Sequence, residues 1–341
     1  MTAFPDGSQC WWPVAVAREL SADRPMRRQL NGLPLVIFRT NELKPAALVD
    51  ACPHRMAPLS QGQCTQGQIQ CPYHGWTFDG QGRCVRIPGM QDAHALSRRP
   101  LVRALGCVES AGLIWVQTEA GAPLNLPDES NGVDQFFMQS TVDATLLDIA
   151  ENFLEAFHTH FVHRGLVRRD TQRQQVDALL RPIDGGIEVA YQNEQTQNGW
   201  LSRLFEPSRG ASWGRFLWPN LAQIEYHDAQ QRLTLRVDLW ITPVENERHQ
   251  LFARISTRRG LLPARVKQML LTPLFRRVLQ QDIAITEAVT HNRRTFEQHP
   301  DALMHGKPLD ARHDLMGPAL RTLFEQQSNG GIVNRQATLY L

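Results

Sequence analysis

The rhythm of apolar and polar positions changes near residue 118. Before it, apolar residues come in short runs set off by turn formers, as in Leu35-Val-Ile-Phe-Arg39, Ala47-Leu-Val49 and Gly112-Leu-Ile-Trp-Val116. Such runs predict a small β domain, with Asp79-Gly80 and Gln81-Gly82 marking a hairpin turn. The segment from Gly121 to Gly132 is crowded with Gly, Pro, Asn and Asp and reads as a linker. Beyond it, the pattern predicts a helix over 147–163 and strands at Ala178–Leu180 and Ile187–Tyr191, joined through Asp184-Gly-Gly186. Longer strands are predicted at Ala222–Tyr226, Leu233–Trp240 and Leu251–Ser256. A long amphipathic helix is predicted over Ala264–Thr295, with Pro273 as a break or kink. Its apolar stripe runs Phe275, Val278, Ile285 and Val289, and Asp282 falls inside it. No repeat or low-complexity tract is visible, and the tail 327–341 suggests no role. The expected division is residues 1–118 and 119–341.

Composition bounds the function without naming it. A chain of 341 residues with 42% hydrophobic and 21% charged residues has a globular profile. The formal net charge of +2 gives no electrostatic reason to expect a nucleic-acid or membrane-surface partner. The N-terminus has no basic segment followed by an apolar one, and no apolar run approaches the roughly 20 residues a spanning helix needs. A cytoplasmic, reduced chain is expected, with Cys10, Cys64, Cys84 and Cys107 as small buried apolar residues.

Two other cysteines carry chemistry. Cys52-Pro-His54 and Cys71-Pro-Tyr-His74 are two matching Cys/His pairs. A zinc ribbon prefers Cys-x-x-Cys pairs. Mixed pairs fit a [2Fe–2S] cluster with two thiolates on one iron and two imidazoles on the other, the Rieske arrangement. Proline beside each cysteine stiffens the loop. Gly75 would let backbone N–H groups approach the sulfides, and Trp76 would pack the loop down. Neither pair is followed by the extra cysteine usual in respiratory Rieske proteins, so the loops look like the oxygenase type.

A second constellation lies at 151–164, Glu-Asn-Phe-Leu-Glu-Ala-Phe-His-Thr-His-Phe-Val-His-Arg. It holds His158, His160 and His163, with Asn152 and Glu155 just upstream. Non-haem iron that activates O₂ commonly takes two histidines and one carboxylate. Asp282 is the candidate carboxylate, because an acid on the buried face of a helix is costly unless paired or bound to metal. An ion pair with Arg276 or Arg277 is the alternative. Glu287, on the side shared with Arg276 and Gln280, reads as solvated.

Together these motifs resemble the catalytic α subunit of a Rieske non-haem iron oxygenase. The first matches the family's Cys-x-His…Cys-x-x-His. The second resembles Asn-x-x-Asp-x-x-His-x4-His, here Asn152, Glu155, His158 and His163. The third is the late acid before isoleucine, Asp282-Ile283. The resemblance implies an α+β chain: an N-terminal Rieske [2Fe–2S] β domain, then a helix-grip, START-like catalytic domain with an antiparallel sheet around a long helix. It implies Cys52, His54, Cys71 and His74 on the cluster, and His158, His163 and Asp282 on a mononuclear Fe(II). It further implies a head-to-tail homotrimer in which Glu155 links His158 to the partner subunit's His74. Glu155 departs from the usual Asp, adding one methylene of reach. The family spacing passes over His160, which reads as a packing residue beside the site.

The resemblance is strongest to compact single-subunit monooxygenases and demethylases. It implies O₂-dependent hydroxylation or oxidative demethylation of an aromatic or other apolar small molecule. Ring cis-dihydroxylation is the alternative within the class; a Rieske electron carrier and a hydrophobic-ligand-binding protein are alternatives outside it. Trp200, Leu204, Phe205, Trp213, Phe216 and Trp218 form an aromatic-rich stretch suited to a flat ligand, with core packing as the other reading. No Gly-x-Gly-x-x-Gly opens a helix, so electrons are expected from a separate NAD(P)H-dependent reductase, with or without a ferredoxin.

Overall fold

The computed structural model describes residues 4, 6–90, 99–121, 123–126, 132–168, 173–192, 209–260, 263–302 and 314–341. The chain divides into two compact units: Pro5–Asp128 with Thr242–Asn246, and Met1–Phe4 with Glu129–Ile241 and Glu247–Leu341. This division falls after Asp128, whereas the sequence pattern places it after residue 118.

The first unit is all β. It contains β1 (Trp11–Val16), β2 (Met26–Leu30), β3 (Leu33–Arg39), β4 (Pro45–Val49), β5 (Gln63–Thr65), β6 (Gln68–Gln70), β7 (Thr77–Phe78), β8 (Cys84–Arg86), β9 (Ala104–Ser110) and β10 (Leu113–Gln117). A six-stranded sheet runs β1-β10-β9-β4-β3-β2, and a four-stranded sheet runs β5-β6-β7-β8. The apolar runs of β3 and β4 are buried because Val36, Phe38, Ala46 and Leu48 join Leu59, Ile69 and Phe78 in one core. The two Cys/His loops hang from the small sheet: the second joins β6 to β7, and the first precedes β5.

The second unit is an antiparallel meander wrapped on helices. Its strands are β11 (Val133–Asp143), β12 (Gln175–Ile183), β13 (Gly186–Gln192), β14 (Arg209–Leu217), β15 (Leu221–Asp228), β16 (Leu233–Glu245), β17 (Arg248–Arg258) and β18 (Arg335–Tyr340). They form one sheet in the order β11-β17-β16-β15-β14-β13-β12-β18. Among the described residues, three helices accompany it: α1 (Leu146–Leu154), α2 (Ala264–Glu297) and α3 (Met316–Gln326). The tail is the sheet's edge strand: β18 pairs antiparallel with β12, and Leu341 is fully buried. Asn329 helps seat it, donating from Nδ2 to the carbonyls of Ile183 (2.6 Å) and Gly186 (3.1 Å).

One face of this sheet feeds the apolar core through Val189, Phe216, Leu239 and Ile255. The opposite face carries a charge ladder across neighbouring strands. Arg181 donates to Glu188 (2.8 Å), Arg215 to both Glu188 (2.5 Å) and Glu225 (2.7 Å), and Arg254 to Asp238 (2.9 Å). Arg181–Glu188, Glu188–Arg215 and Glu225–Arg236 are direct cross-strand partners. A slip of one residue would turn every one of these charges into the apolar core, so the ladder pins the register.

Two helices differ from expectation. The segment 147–163 is not one helix, because α1 stops at Leu154 and Glu155 is extended (φ −82°, ψ 146°). The Glu155 carboxylate accepts the N–H groups of Phe157 (2.6 Å) and His158 (3.0 Å). That local capture replaces the helical ladder and starts a 3₁₀ turn at His158–His160. The long helix runs unbroken through Pro273, but its buried stripe is not the predicted one. Ile285 and Val289 are exposed, while Thr286 and Thr290 are buried. Both threonines satisfy their hydroxyls, Thr286 on the Asp282 carbonyl (2.7 Å) and Thr290 on Asp148 Oδ2 (2.8 Å). No helix among the described residues is long and apolar enough to cross a membrane.

Candidate functional site

The two Cys/His loops are built alike. In the first, Cys52 N–H donates to the Ala57 carbonyl (2.9 Å), and Met56 N–H donates to the Cys52 carbonyl (2.8 Å). In the second, Cys71 N–H donates to the Trp76 carbonyl (2.7 Å), and Gly75 N–H donates to the Cys71 carbonyl (3.1 Å). Each loop turns through a left-handed residue, Met56 (φ 57°) or Gly75 (φ 72°). The Gly75 N–H therefore closes its own turn rather than pointing at a sulfide, because the turn's carbonyl takes it. At Gly75 a Cβ would also meet Pro88 Cγ at 3.0 Å. The twin turns bury Cys52 and Cys71 and leave His54 and His74 exposed, their ring centroids 4.6 Å apart. Trp76 stacks flat on His54 at 5.0 Å, tying one loop to the other.

This donor set fits a Rieske cluster: a buried pair of sulfurs on one side and a solvent-facing pair of imidazoles on the other. Burial pushes the Cys52 thiol up to about 11, so loading a cluster must drive off its proton. Desolvation and the neighbouring His54 and Arg55 hold the His74 imidazole below its ordinary value, toward the neutral form a metal needs.

In the second unit, three groups from two distant segments meet. His158 Nε2 lies 3.5 Å and His163 Nε2 lies 2.9 Å from Asp282 Oδ1. The potential ligand atoms all lie within 4.8 Å of one another. Two imidazoles and one carboxylate on one side of a point fit mononuclear iron, with positions left open. Arg276 and Arg277 do not pair with Asp282. Its partners are the two histidines and Asn152, whose Nδ2 donates to Oδ1 at 3.1 Å from 130 residues away in sequence. Glu155 Oε1 lies 2.5 Å from His158 Nδ1, so one carboxylate both caps the turn and grips the ring. Burial pulls the His163 imidazolium down, but hydrogen bonds and charge from Asp282, helped by Gln281, outweigh it and the net shift is upward. His160 is buried, its Nδ1 3.4 Å from the Phe157 carbonyl, and is not among the converging groups. Glu287 is half-buried and accepts the Asp143 N–H at 3.0 Å.

The three groups open onto a cavity with a largely apolar wall that includes Met138, Phe153, Leu235, Val237 and Phe275. Of the aromatic residues expected there, Trp213 borders it along the β14 backbone, but its ring lies on the opposite face of the sheet, 4.8 Å from His227. Phe216 does not border it; it is fully buried against Phe324 of α3, with ring centroids 5.1 Å apart. Trp218 lies between Phe4 (5.4 Å) and Phe324 (5.7 Å), beyond the end of β14. Both fill the core at the α3 end of the sheet, which residue type alone does not distinguish from a cavity wall. Trp200, Leu204 and Phe205 lie outside the described residues.

Sequence reasoning missed three contributors. Asp148 ties α1 to α2 by accepting from Thr290 and from Arg293 (2.5 Å). Arg168 is buried on the cavity wall and donates to the Ala156 carbonyl at 2.9 Å. Gln281 Oε1 lies 3.0 Å from His163 Nδ1. Asp148 alone offered a local sign, an acid in the first turn of a Thr-capped helix.

Known proteins align with both units. Residues 10–105 match the profile of the Rieske [2Fe-2S] domain, and residues 142–326 match the vanillate O-demethylase oxygenase C-terminal domain. The dicamba O-demethylase oxygenase component of Stenotrophomonas maltophilia is 35% identical over 189 residues, covering 52% of this chain and 54% of that protein. Chlorophyllide a oxygenase of Chlamydomonas reinhardtii is 34% identical over 167 residues, covering 47% of this chain and 25% of that protein. The chain thus spans about half or less of these curated relatives. In fold it is similar to dicamba monooxygenase bound to dicamba, with a TM-score of 0.79 at 23% identity over 94% of this chain and 97% of that one. It is also similar to Pseudomonas putida NdmA with caffeine, with a TM-score of 0.72 at 20% identity over 93% and 90%.

Proposed function

The chain belongs to the Rieske non-haem iron oxygenases, and on that premise we propose that it is the oxygenase component of a multicomponent monooxygenase acting on an aromatic or other apolar small molecule. The observation that carries this reading is the convergence of His158, His163 and Asp282 at a largely apolar cavity, in a chain that also bears the twin Cys/His loops. Cys52, His54, Cys71 and His74 would hold the [2Fe–2S] cluster; His158, His163 and Asp282 would hold Fe(II). When bound, the cluster supplies single electrons and the iron activates O₂.

The protein's own residues do the rest. Asn152 steadies Asp282 by donating to it, so the carboxylate keeps one orientation. Glu155 holds the Nδ1 proton of His158 and leaves Nε2 free to bind metal. The apolar wall excludes water and favours a flat, weakly hydrated substrate. Phe205 remains part of the proposed pocket, whereas the Trp213 ring lies on the charged face of the sheet beside Arg215 and His227, and Phe216 and Trp218 belong to the core. Two relatives whose names record O-demethylation or a bound methylated purine point to a methyl ether or N-methyl substrate. The net reaction balances as R–O–CH₃ + O₂ + 2 e⁻ + 2 H⁺ giving R–OH, formaldehyde and water. The electrons would come from a separate NAD(P)H-dependent reductase, with or without a ferredoxin. A homotrimer would bring the partner subunit's His74 to Glu155. We place the chain in a reducing, cytoplasmic setting, where the thiols outside the proposed cluster, Cys10, Cys64, Cys84 and Cys107, would stay reduced.

The test is product analysis of the purified holoprotein with O₂, a reductase and a panel of methoxylated aromatics. Formaldehyde with an equal amount of phenol is the expected result. A cis-dihydrodiol would replace the reading with ring dihydroxylation, and reduction of the cluster without any product would replace it with an electron carrier.

A further inference from the structure

We propose that Gln281 is a positioning residue for the mononuclear metal, fixing the tautomer and orientation of His163. This rests on the reading of His158, His163 and Asp282 as the ligands. His163 is held at both ring nitrogens by consecutive residues of α2: Gln281 Oε1 lies 3.0 Å from Nδ1, and Asp282 Oδ1 lies 2.9 Å from Nε2. The ring itself comes from the loop after the 3₁₀ turn, 118 residues from Gln281 in sequence. The ring is buried, so this pair of contacts sets its rotation about the Cβ–Cγ axis.

The tautomer follows from the donor and acceptor roles. A neutral imidazole carries one proton, and only its bare nitrogen binds a metal. With the Gln281 oxygen accepting from Nδ1–H, Nε2 is left bare and faces Asp282. His158 is arranged in the same way, but its Nδ1 acceptor is the Glu155 carboxylate at 2.5 Å. The two imidazoles therefore differ in one respect: an anion backs His158 and a neutral amide backs His163. A carboxylate makes a ring more electron-rich than an amide does, so the structure builds an unequal pair, with His163 the weaker donor.

The role separates from plain packing because an amide offers either oxygen or nitrogen to the ring, whereas a carboxylate offers only oxygen. Gln281→Met keeps the length and loses the acceptor. Gln281→Glu keeps the acceptor. The probe is Co(II) binding to metal-stripped protein, followed by visible absorption of the bound ion, with thermal unfolding of the same samples as the folding control. Gln281→Met is expected to weaken Co(II) about 10- to 100-fold without a matching loss of thermal stability. Gln281→Glu is expected to bind at least as tightly as the parent. Parent-like binding by Gln281→Met, or a loss in Gln281→Glu as large as in Gln281→Met, would overturn the assignment. Asp282→Ala runs beside them: if it binds Co(II) as the parent does, the ligand reading itself fails; if it loses Co(II) while Gln281→Met does not, only the role of Gln281 fails.

Discussion

The two regions proposed to bind metals are made in opposite ways. The Cys/His loops take all their donors from two short turns, each closed by its own backbone: Met56 onto Cys52, and Gly75 onto Cys71. The His/His/Asp centre takes donors from a 3₁₀ turn, the loop after it and a helix far along the chain, and its geometry exists only when α1 and α2 are docked. The first site is local and the second is global. A local site should tolerate damage elsewhere and fail only when its own loop is changed. A global site should be sensitive to every tie between its elements, including Asp148–Thr290 and Asn152–Asp282.

The largest expected effect tests the local site. Cys52→Ser should abolish the visible spectrum of the Rieske cluster outright, while Co(II) or Fe(II) still binds in the second unit. A spectrum that survives would refute the ligand set. Next, Asp282→Ala should bring product to background and leave the red-brown cluster colour unchanged. Loss of both centres together would show that they are not separable.

Glu155→Gln sits between the two cases. Glu155 takes the Phe157 N–H on Oε2, and the His158 N–H and ring on Oε1. An amide has one acceptor oxygen, so one side of this grip is lost, at about 1–3 kcal/mol. Both iron centres should stay loaded, and re-oxidation of pre-reduced cluster by O₂ with substrate should slow at least tenfold in a single turnover. Glu155→Asp should be milder. Parent rates in Glu155→Gln would take the residue out of the electron path.

The charge ladder gives a test away from both metals. Burial raises the Glu225 carboxyl, but His227, Arg215 and Arg236 outweigh it and hold it at about 2. A lowered carboxyl stabilises the fold above its unfolded value near 4.5 and loses that contribution as pH falls toward 2. Glu225→Gln should therefore be less stable at neutral pH, on the order of 2 kcal/mol, and its denaturation midpoint should approach the parent's as pH drops through that window. Parallel curves would remove Glu225 from the acid response. The smallest effect belongs to Glu287→Ala. It frees the Asp143 N–H near the surface, worth about 0.5–1 kcal/mol in urea unfolding, with metal content unchanged.

What the sequence made legible follows the same divide. The Cys/His loops could be read because ligand, proline and turn residue are neighbours in the chain. His158, His163 and Asp282 could be read as types, but not as a geometry. Gln281 left no local sign, since its partner is a loop residue that only the fold delivers. Hydropathy misread the stripe of α2 because hydrogen-bonded threonines are buried as readily as aliphatic residues: Thr286 and Thr290 go in while Ile285 and Val289 stay out. Helical periodicity ran past Leu154 because a glutamate that caps the next turn looks like any helical glutamate until its carboxylate is seen on the N–H groups of Phe157 and His158.

The central claim is that one chain holds two chemically distinct iron centres. Its most direct test is iron and acid-labile sulfide counted on the same purified, anaerobically reconstituted sample. The account predicts about three irons and about two sulfides per chain. About two irons with two sulfides would leave only the cluster and contradict the His158/His163/Asp282 centre, and iron without sulfide would contradict the Rieske loops.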